Sequence, residues 1–460
     1  MNLPGDVGSA RPSSSGIPFS GTPHRIPPVS NSGGDFVRSG GSESAPSGPL
    51  EDVCGICSPL PEENPKIEAD LRLGRMALQA VAREWLWSRE DGLKGPWHRL
   101  AGCTRWMATR TVDGQAQRCE FVELWHDPGK MRAYYKGLQT CGSAWADPVC
   151  SGVIYDTRKT EIDAALTWAR ENGYKVFFVT LTAAHKKVDD LASLLDALGS
   201  AMRLVYRGSP WVRFRDKFGY LGSIRGTEIT YGRHGWHPHF HLLWFSKTGT
   251  AGEIAEYADP AWRSALARQG LHGLKGVAVK VKDSSWTAAE YMAKFGADRP
   301  WDLDAEMTMW ARKNGEKGYK GATPWDLLRA GLRAIPSDVQ GTPGEAVYRQ
   351  VVANCRHLFR EYAFATKGKH SMRWSSGLAE LAGVKVKSDE EIAAGESNER
   401  ELFLLARLTV EQWRVVCFSD MRGELRAIAG RGDYGLVVDF LAELGVVLPP
   451  AEVGVAAAAG

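Results

Sequence analysis

Three histidines at alternate positions form the segment of this sequence best suited to chemistry. His237, His239 and His241 lie in the run Trp-His-Pro-His-Phe-His-Leu-Leu-Trp-Phe. Side chains at positions i, i+2 and i+4 of a strand point to one face, so the three imidazoles would line up. Neutral imidazoles arranged in this way bind a divalent metal ion. The alternative, three solvated surface histidines, fits poorly with the apolar run around them, so the pattern predicts a metal site.

A tyrosine and a lysine three residues apart form a second candidate pair. Tyr291 and Lys294 share one face if their segment is helical, since i and i+3 are neighbours on a helix. The lysine would favour the phenolate and attract a phosphate. Taken alone the pair is a weak signal, and a half-buried tyrosine beside a solvated lysine explains it more simply.

The strands and helices that must position these side chains follow from hydrophobic periodicity. Residues 175–182 and 276–282 read as strands, and the segments 220–231 and 236–245 read as two antiparallel strands that pair around a turn. An apolar stripe from Val188 to Met202 and the segment 253–270 predict helices between them. Further along, the segments 324–334, 344–363 and 399–415 look like amphipathic helices. This order predicts an α+β fold with a mostly antiparallel sheet.

Length and composition set broad limits on the protein. A chain of 460 residues exceeds one ordinary domain, and a net charge of +3 neither requires nor excludes a polyanionic partner. The apolar runs are shorter than the roughly 18 residues needed to cross a bilayer, and no secretory signal is evident. We therefore expect a cytoplasmic protein with no membrane partner, whose eight cysteines are thiols or metal ligands rather than disulfides.

The two candidate chemical motifs occur together in an order that resembles a known family. Three blocks match: Phe178–Thr182, then Glu228–Thr230 running on to the histidines at 237–241, then Glu290–Lys294. Together they resemble the HUH endonuclease superfamily, and within it the replication initiator (Rep) proteins of rolling-circle plasmids, especially those of Gram-positive and actinobacterial plasmids. The resemblance covers residues 175–296 well and the flanking regions more loosely.

The resemblance implies a metal-dependent, site-specific DNA nickase and strand transferase. His239 and His241 match the metal-binding pair of the family, with either Glu228 or His237 as the third ligand, and a carboxylate would favour Mg²⁺ or Mn²⁺. Tyr291 matches the nucleophile, which would form a 5′-phosphotyrosine and leave a free 3′-hydroxyl. The implied partners are the plasmid's double-strand origin, single-stranded at the nick, and a host helicase and polymerase.

Composition along the chain, together with the resemblance, suggests how the chain is divided. We expect a disordered tail at 1–50, a cysteine-rich and zinc-binding region at 51–155, the HUH nickase domain at 156–300, a helical region at 301–445 and a flexible tail at 446–460. The nickase domain should be an HUH endonuclease-type antiparallel sheet flanked by helices.

The tyrosine block departs from some members of the family. The positions one helical turn before and after Tyr291 are Thr287 and Phe295, where relatives carry a glutamate or a second tyrosine. We therefore expect a single-tyrosine enzyme in which Lys294 accompanies the nucleophile. In an alternative alignment Tyr291 takes the place of the glutamate and Phe295 that of the tyrosine, which would leave no nucleophile.

Cysteines in the first third of the chain suggest a second metal. The segment from Cys141 to Cys150 resembles a knuckle of actinobacterial initiators in which Asp147 is commonly cysteine and an upstream cysteine, here Cys103, completes the site. Zinc would bind this set more weakly through the oxygen of Asp147. The pair Cys54 and Cys57 is an alternative source of zinc ligands, or a redox pair.

Basic and aromatic residues ahead of the histidines form a candidate DNA-binding surface, because phosphates attract cations and unpaired bases stack on flat rings. An ordinary basic surface over core aromatics explains them equally well. The candidates are Arg207, Trp211, Arg213, Arg215, Lys217 and Arg225.

Three other functions remain open. A rolling-circle transposase would use the same chemistry, whereas a noncatalytic zinc-dependent DNA-binding regulator or a metallohydrolase of small substrates would not need Tyr291.

Overall fold

The computed structural model describes residues 71–87, 98–129, 131–275, 277–283, 322–332, 340–395 and 402–448. Several expectations fall outside these residues. They are the tail at 1–50, the pair Cys54 and Cys57, and the catalytic candidates Tyr291 and Lys294 with their neighbours Thr287 and Phe295.

Five antiparallel strands form the largest sheet. They are β5 (Lys175–Thr182), β6 (Tyr220–Gly232), β7 (Gly235–Ser246), β8 (Val279–Asp283) and β9 (Met372–Trp374). Their order across the sheet is β8, β5, β7, β6, β9. The predicted strands at 175–182, 220–231 and 236–245 are thus confirmed, and the α+β class with antiparallel pairing holds.

Helices cover both faces of this sheet. One face presents Phe240, Leu242 and Trp244 of β7 to α3 (Leu191–Val205), α4 (Gly208–Phe218) and α5 (Ala251–Ala267). The opposite face presents Leu243 and Phe245 to α2 (Pro148–Glu171). Because β7 is buried on both sides, its sequence reads as a nearly continuous apolar run.

The start of α3 differs slightly from the predicted apolar stripe. Asp190 caps the helix by accepting a hydrogen bond from the backbone N–H of Ser193. Val188 therefore precedes the helix, and its side chain is 88% exposed. The stripe that packs on the sheet begins at Leu191.

Two smaller sheets include strands from the cysteine-rich part of the chain. The hairpin of β1 (Thr109–Val112) and β2 (Gln115–Arg118) forms one sheet. The other has the order β10 (Phe403–Thr409), β3 (Phe121–Asp127), β4 (Arg132–Lys136). Four of these strands lie within residues 51–155, and β10 joins them from much later in the chain.

The strand β10 corrects a prediction. An amphipathic helix was expected over 399–415, but Phe403–Thr409 is a strand and only Val410–Phe418 is helical (α10). Ala406 and Leu408 alternate with exposed Arg407 in the period of a strand, and pairing with β3 satisfies the backbone. The spacing of this short apolar run also fits a helix, and pairing with β3 is what makes it a strand.

The remaining helices pack around these sheets. They are α1 (Leu71–Trp85), a 3₁₀ helix (Arg99–Gly102), α6 (Pro324–Leu332), α7 (Pro343–Ala365), α8 (Leu378–Leu381), α9 (Asp389–Ala393), α11 (Arg422–Ala429) and α12 (Tyr434–Glu443). The helices expected at 324–334 and 344–363 are thereby confirmed. Among the described helices, none combines the length and apolar character that crossing a bilayer requires.

Chain segments that were expected to form separate regions pair with one another. The helix α2 runs through the expected boundary at residues 155 and 156. The strand β10 joins the sheet of β3 and β4, and β9 joins the edge of the five-stranded sheet beside β6. Strands from beyond residue 301 therefore complete both larger sheets.

Candidate functional site

The five-stranded sheet brings one carboxylate and two imidazoles together on one face. Glu228 of β6 lies directly opposite His239 of β7, and His241 follows on the same face. The Oε2 atom of Glu228 is 3.0 Å from Nε2 of His239 and 2.9 Å from Nε2 of His241. The three ligand-type atoms all lie within 4.8 Å of one another. The three side chains are thus close enough together to be candidate ligands of one cation.

The register that creates this cluster is set by a tight turn. Gly232 pairs with Gly235, so only Arg233 and His234 connect β6 to β7. Gly235 has a φ of +85°, and a Cβ at this position would lie 2.9 Å from the Cα of Lys187. A shift of one residue would send Glu228 to the opposite face, so the turn fixes which side chains meet.

The outer nitrogens of both rings are held by neighbouring groups. Nδ1 of His241 lies 3.1 Å from Oγ1 of Thr180, and Nδ1 of His239 lies 3.3 Å from the backbone oxygen of His237. A bond from His239 to a carbonyl oxygen requires a proton on Nδ1. Its Nε2 then faces the Glu228 carboxylate either with a second proton or with a lone pair directed at a cation. Such outer contacts orient the imidazoles of metal sites.

The hydrogen bonds of the cluster shift the pKa values of its members. Burial by itself raises the pKa of Glu228, but hydrogen bonds from His239 and His241 outweigh burial and hold that pKa well below its usual range. Burial lowers the pKa of His239, yet the bond to Glu228 outweighs it and the net pKa is raised. Burial dominates at His241, whose pKa is lowered. An ionised carboxylate beside two imidazoles fits Mg²⁺ or Mn²⁺ as a donor set.

His237 is drawn away from this cluster by another histidine. Its Nδ1 lies 2.7 Å from Nε2 of His185, whose own Nδ1 lies 3.0 Å from the backbone oxygen of His234. Burial lowers the pKa of His237 to about 4. Of the two candidates for a third ligand, the structure therefore brings Glu228 to His239 and His241.

Two further side chains near the cluster were not selected from the sequence. Lys280 of β8 lies opposite Thr180, which in turn lies opposite His241, so all three share one row and one face. Lys280 is exposed. Tyr155 of α2 is buried, and its pKa is raised by burial and by the nearby charge of Glu228. The alternation of lysine and valine in β8 was the available signal for Lys280, whereas nothing local indicated Tyr155.

The candidate DNA-binding residues lie on the opposite face of the sheet from the histidines. Arg207, Arg213, Arg215 and Lys217 are exposed on or beside α4. Arg225 lies opposite Leu242, with its guanidinium carbon 4.7 Å from the centre of the Phe240 ring.

Trp211 is packed among aromatic rings of the core. The centre of its ring is 4.8 Å from those of Tyr206 and Tyr220, and its ring also contacts Trp244. Ring contacts of this kind stabilise the core and leave less of the indole for base stacking. A role of this surface in DNA binding stays a prediction.

A second cluster of ligand-type side chains is formed by three cysteines and an aspartate. Cys103 follows the 3₁₀ helix, Cys141 follows β4, and Cys150 lies in the first turn of α2, which Asp147 caps. The Sγ atom of Cys150 is 3.5 Å from that of Cys103 and 3.8 Å from that of Cys141. Cys141 Sγ is 3.2 Å from Oδ2 of Asp147. All four side chains are buried.

The chemistry of this second cluster matches a closed zinc site. Hydrogen bonds with Cys103 and Cys141 lower the pKa of the Cys150 thiol to about 6, whereas burial raises the pKa of Cys141. The Nε2 of Gln79 donates to both oxygens of Asp147 and so fixes the carboxylate. Three sulfurs and one oxygen give the four donors of a structural zinc site. All six described cysteines are free of disulfides.

Comparison with known proteins adds two relatives. The chain is 28% identical over 343 residues to a protein of Streptomyces lividans called "Protein rep", a match that covers 61% of this chain and 73% of the relative. It is 35% identical over 134 residues to the "Neomycin resistance protein" of Streptomyces cyanogenus, covering 23% of this chain and 30% of that relative. No family model matches the chain, and no solved structure matches it.

Proposed function

We propose that this protein is the replication initiator of a rolling-circle plasmid, a metal-dependent DNA nickase and strand transferase of the HUH type. The observation that carries the proposal is the convergence of Glu228 Oε2 with Nε2 of His239 and His241. The similarity to "Protein rep" of Streptomyces lividans supports the replication role, and the order of the three sequence blocks supports the chemistry.

The cluster would act on the phosphate that is to be cleaved. Glu228, His239 and His241 would hold Mg²⁺ or Mn²⁺, and the bound ion would withdraw charge from the nonbridging phosphate oxygens. The phenol oxygen of Tyr291 forms a bond to phosphorus while the bond from phosphorus to the 3′ oxygen breaks. The phenol proton passes to solvent and the leaving 3′ oxygen takes up a proton. The products are a 5′-phosphotyrosine and a free 3′-hydroxyl.

The position of β8 is compatible with Tyr291 reaching the cluster. Asp283, the last residue of β8, lies opposite Phe177, which lies opposite Trp244, three residues beyond His241 on β7. Strand spacing then gives a Cα distance of roughly 14 Å from Asp283 to His241. The chain from 283 to 291 would span about 26 Å if extended and about 12 Å if helical, and the tyrosine side chain adds to either length, so this separation is compatible with the phenol reaching the cluster.

Positive side chains would complete the phosphate site. Lys280 stands exposed in the row of His241, at the edge strand that leads toward Tyr291. Lys294 would lie beside the phenol if that segment is helical. Both ammonium groups would attract the DNA backbone. The implied partners are the double-strand origin and, after nicking, a host helicase and polymerase in the cytoplasm.

We also propose structural zinc at Cys103, Cys141, Asp147 and Cys150. The four donors are buried and come from three separate segments, so a bound ion would tie the 3₁₀ helix to α2. An ion in this position supplies folding energy rather than catalysis.

A covalent-adduct assay tests the proposed function. The full chain is incubated with Mn²⁺ and a labelled single-stranded oligonucleotide from the plasmid origin, and denaturing gels detect a labelled protein. We expect an adduct for the natural protein, none for Tyr291→Phe, and none when a chelator removes the metal. A DNA-binding regulator would form no adduct, and an adduct that survives Tyr291→Phe would contradict the assigned nucleophile.

A further inference from the structure

The hairpin of β1 and β2 is exposed on both of its faces. Each strand has four residues, and the Asp113-Gly114 turn between them has φ values of +51° and +79°. Such values are typical of the tight turn that joins paired strands. Every side chain that the structure describes in the two strands is exposed. A two-stranded hairpin whose side chains are exposed is only marginally stable by itself, so this hairpin must depend on its attachment to the rest of the protein.

The base of the hairpin is attached to the core. The backbone N–H of Cys119 donates to the oxygen of Ala108, and the N–H of Ala108 donates to the oxygen of Gly137, both at 2.8 Å. Met107 pairs with Leu138, and both belong to the apolar cluster around Trp413. The body of the protein thus fixes the direction in which the hairpin projects.

The hairpin carries side chains of the types that read DNA bases in other proteins. Arg110 lies directly opposite Gln117 on one face, and Thr109 lies opposite Arg118 on the other. Arginine pairs with the edge of guanine and glutamine with the edge of adenine in the major groove, and a two-stranded ribbon fits that groove. Asp113, in the turn, is the single acidic residue of the segment 109–118.

Additional positive charge adjoins the base of the hairpin. A cavity of about 790 Å³ is lined by Arg118 together with Arg105 and Arg414. Trp106 and Phe418 of the same lining are 40% and 82% exposed. The lining holds four arginines against two acidic residues, so it favours an anion. The four arginines are Arg83, Arg105, Arg118 and Arg414, and the acidic residues are Glu84 and Asp420.

We infer that the hairpin of β1 and β2 enters the major groove of duplex DNA and reads its sequence through Arg110 and Gln117. Arg105 and Arg414 bind phosphates of the same duplex. The inference rests on the proposed function, because an initiator must find its origin in double-stranded DNA before nicking it. Origin recognition then lies in the sheet structure of the cysteine-rich part of the chain, apart from the cluster of Glu228, His239 and His241.

A selection from random-sequence duplexes tests the inference with the full chain. We expect the natural protein to enrich one sequence motif, and the double variant Arg110→Ala with Gln117→Ala to lose at least about tenfold in affinity for it and to relax the selected sequence. The matched control removes the same residue types from α7, as Arg349→Ala with Gln350→Ala, and should enrich the natural motif. Both pairs are exposed, and thermal unfolding verifies that each variant folds.

A phosphate-contact variant gives an independent readout. Arg414→Ala should weaken binding to all duplexes alike and lower the slope of log affinity against log salt by about one. The inference is overturned if the natural protein enriches no motif, or if the hairpin variant keeps both motif and affinity. His239→Ala separates the two proposals, since it should enrich the motif and fail to nick. A natural protein that enriches a motif but forms no adduct would refute the nickase and leave the hairpin's role standing.

Discussion

The two ligand clusters differ in how the chain assembles them and in how far they open to solvent. Glu228, His239 and His241 come from two paired strands, and the Glu228 side chain is 31% exposed. The cysteine cluster gathers residues from three separate segments, and none of its members is more than 3% exposed. Catalytic metal sites keep a position open for substrate, whereas structural sites are closed. The comparison therefore supports our proposal of catalysis at the histidine cluster and of stabilisation at the cysteine cluster.

The largest expected effect comes from the closed cluster. Replacing Cys150 by serine should remove bound zinc and lower the free energy of unfolding by several kcal/mol, because the ion's binding energy is folding energy. Elemental analysis and thermal unfolding measure both effects. The control is Cys417→Ser, which changes a thiol outside the cluster. A natural protein that carries no zinc, or a Cys150→Ser variant as stable as the control, would remove the distinction between the clusters.

A substitution in the open cluster should reduce nicking and leave stability nearly unchanged. His239→Ala is expected to reduce nicking at least about a hundredfold, since charge stabilisation at the phosphate depends on the ion. Its thermal stability should change little compared with that of Cys150→Ser. His185→Ala is the matched control, because it removes an imidazole that contacts His237 rather than Glu228. Equal nicking by His239→Ala and the natural protein would contradict the assignment of chemistry to this cluster.

Acid should weaken metal binding at the open cluster. In the metal-free protein the bond to Glu228 raises the pKa of His239 above 6.5, against the effect of burial. The proton must leave before a metal binds, so Mn²⁺ affinity should fall by up to about tenfold per pH unit as the pH drops through this raised pKa. Titration calorimetry from about pH 8 to about pH 6 measures the change. Affinity that stays constant over this range would exclude His239 as a ligand.

In the metal-free protein the same pair contributes to stability with a defined sign. The pKa of His239 is higher in the folded protein than in the unfolded chain. Its contribution to the free energy of unfolding is therefore complete below the pKa of the unfolded chain and is lost as the pH rises through the pKa of the folded protein. The lowered pKa of Glu228 makes a contribution that is present above its unfolded value and is lost as pH falls. The pair should therefore stabilise the metal-free protein most at pH values between the pKa of Glu228 and the pKa of His239 in the unfolded chain.

The smallest expected effect concerns the oxygen donor of the closed cluster. Asp147→Cys should slow the loss of zinc to a chelator, because a fourth thiolate suits zinc better than an oxygen does. The change also removes the N-cap of α2, whose carboxylate accepts hydrogen bonds from the backbone N–H groups of Val149 and Cys150. Loss of this cap should lower the free energy of unfolding of the metal-free protein by about 1 kcal/mol. Asp147→Asn keeps a capping side chain and serves as the control. Faster zinc loss from Asp147→Cys would place Asp147 outside the coordination sphere.

The open cluster and its sheet could largely be predicted from the sequence. Period-two spacing placed His239 and His241 on one face, and the strand Lys175–Thr182 has the predicted bounds. Sequence reasoning left Glu228 and His237 as equal candidates, because both can reach the pair. The contact of His237 with His185, from a different part of the chain, distinguishes them. Such a contact has no local signature.

The sheet structure around the cysteines was harder to predict. The described side chains of β1 and β2 are exposed on both faces, so they lack the alternation of burial that marks a half-buried strand. The strand Phe403–Thr409 is defined by its partner Phe121–Asp127, far away along the chain. Local patterns cannot indicate a partner at that separation, and the apolar run was therefore assigned to a helix.

The pairing of β10 with β3 affects the order in which the nascent chain can fold. Glu123 and Arg407, which are 284 positions apart in the chain, form an ion pair across the two strands. At synthesis rates of about 5 to 20 residues per second, β3 waits roughly 14 to 57 s on the ribosome for its neighbour. During that time one edge of β3 is open to strands of other chains. A charged side chain such as Glu123 is of the kind that disfavours pairing of an open edge with other chains until translation delivers β10.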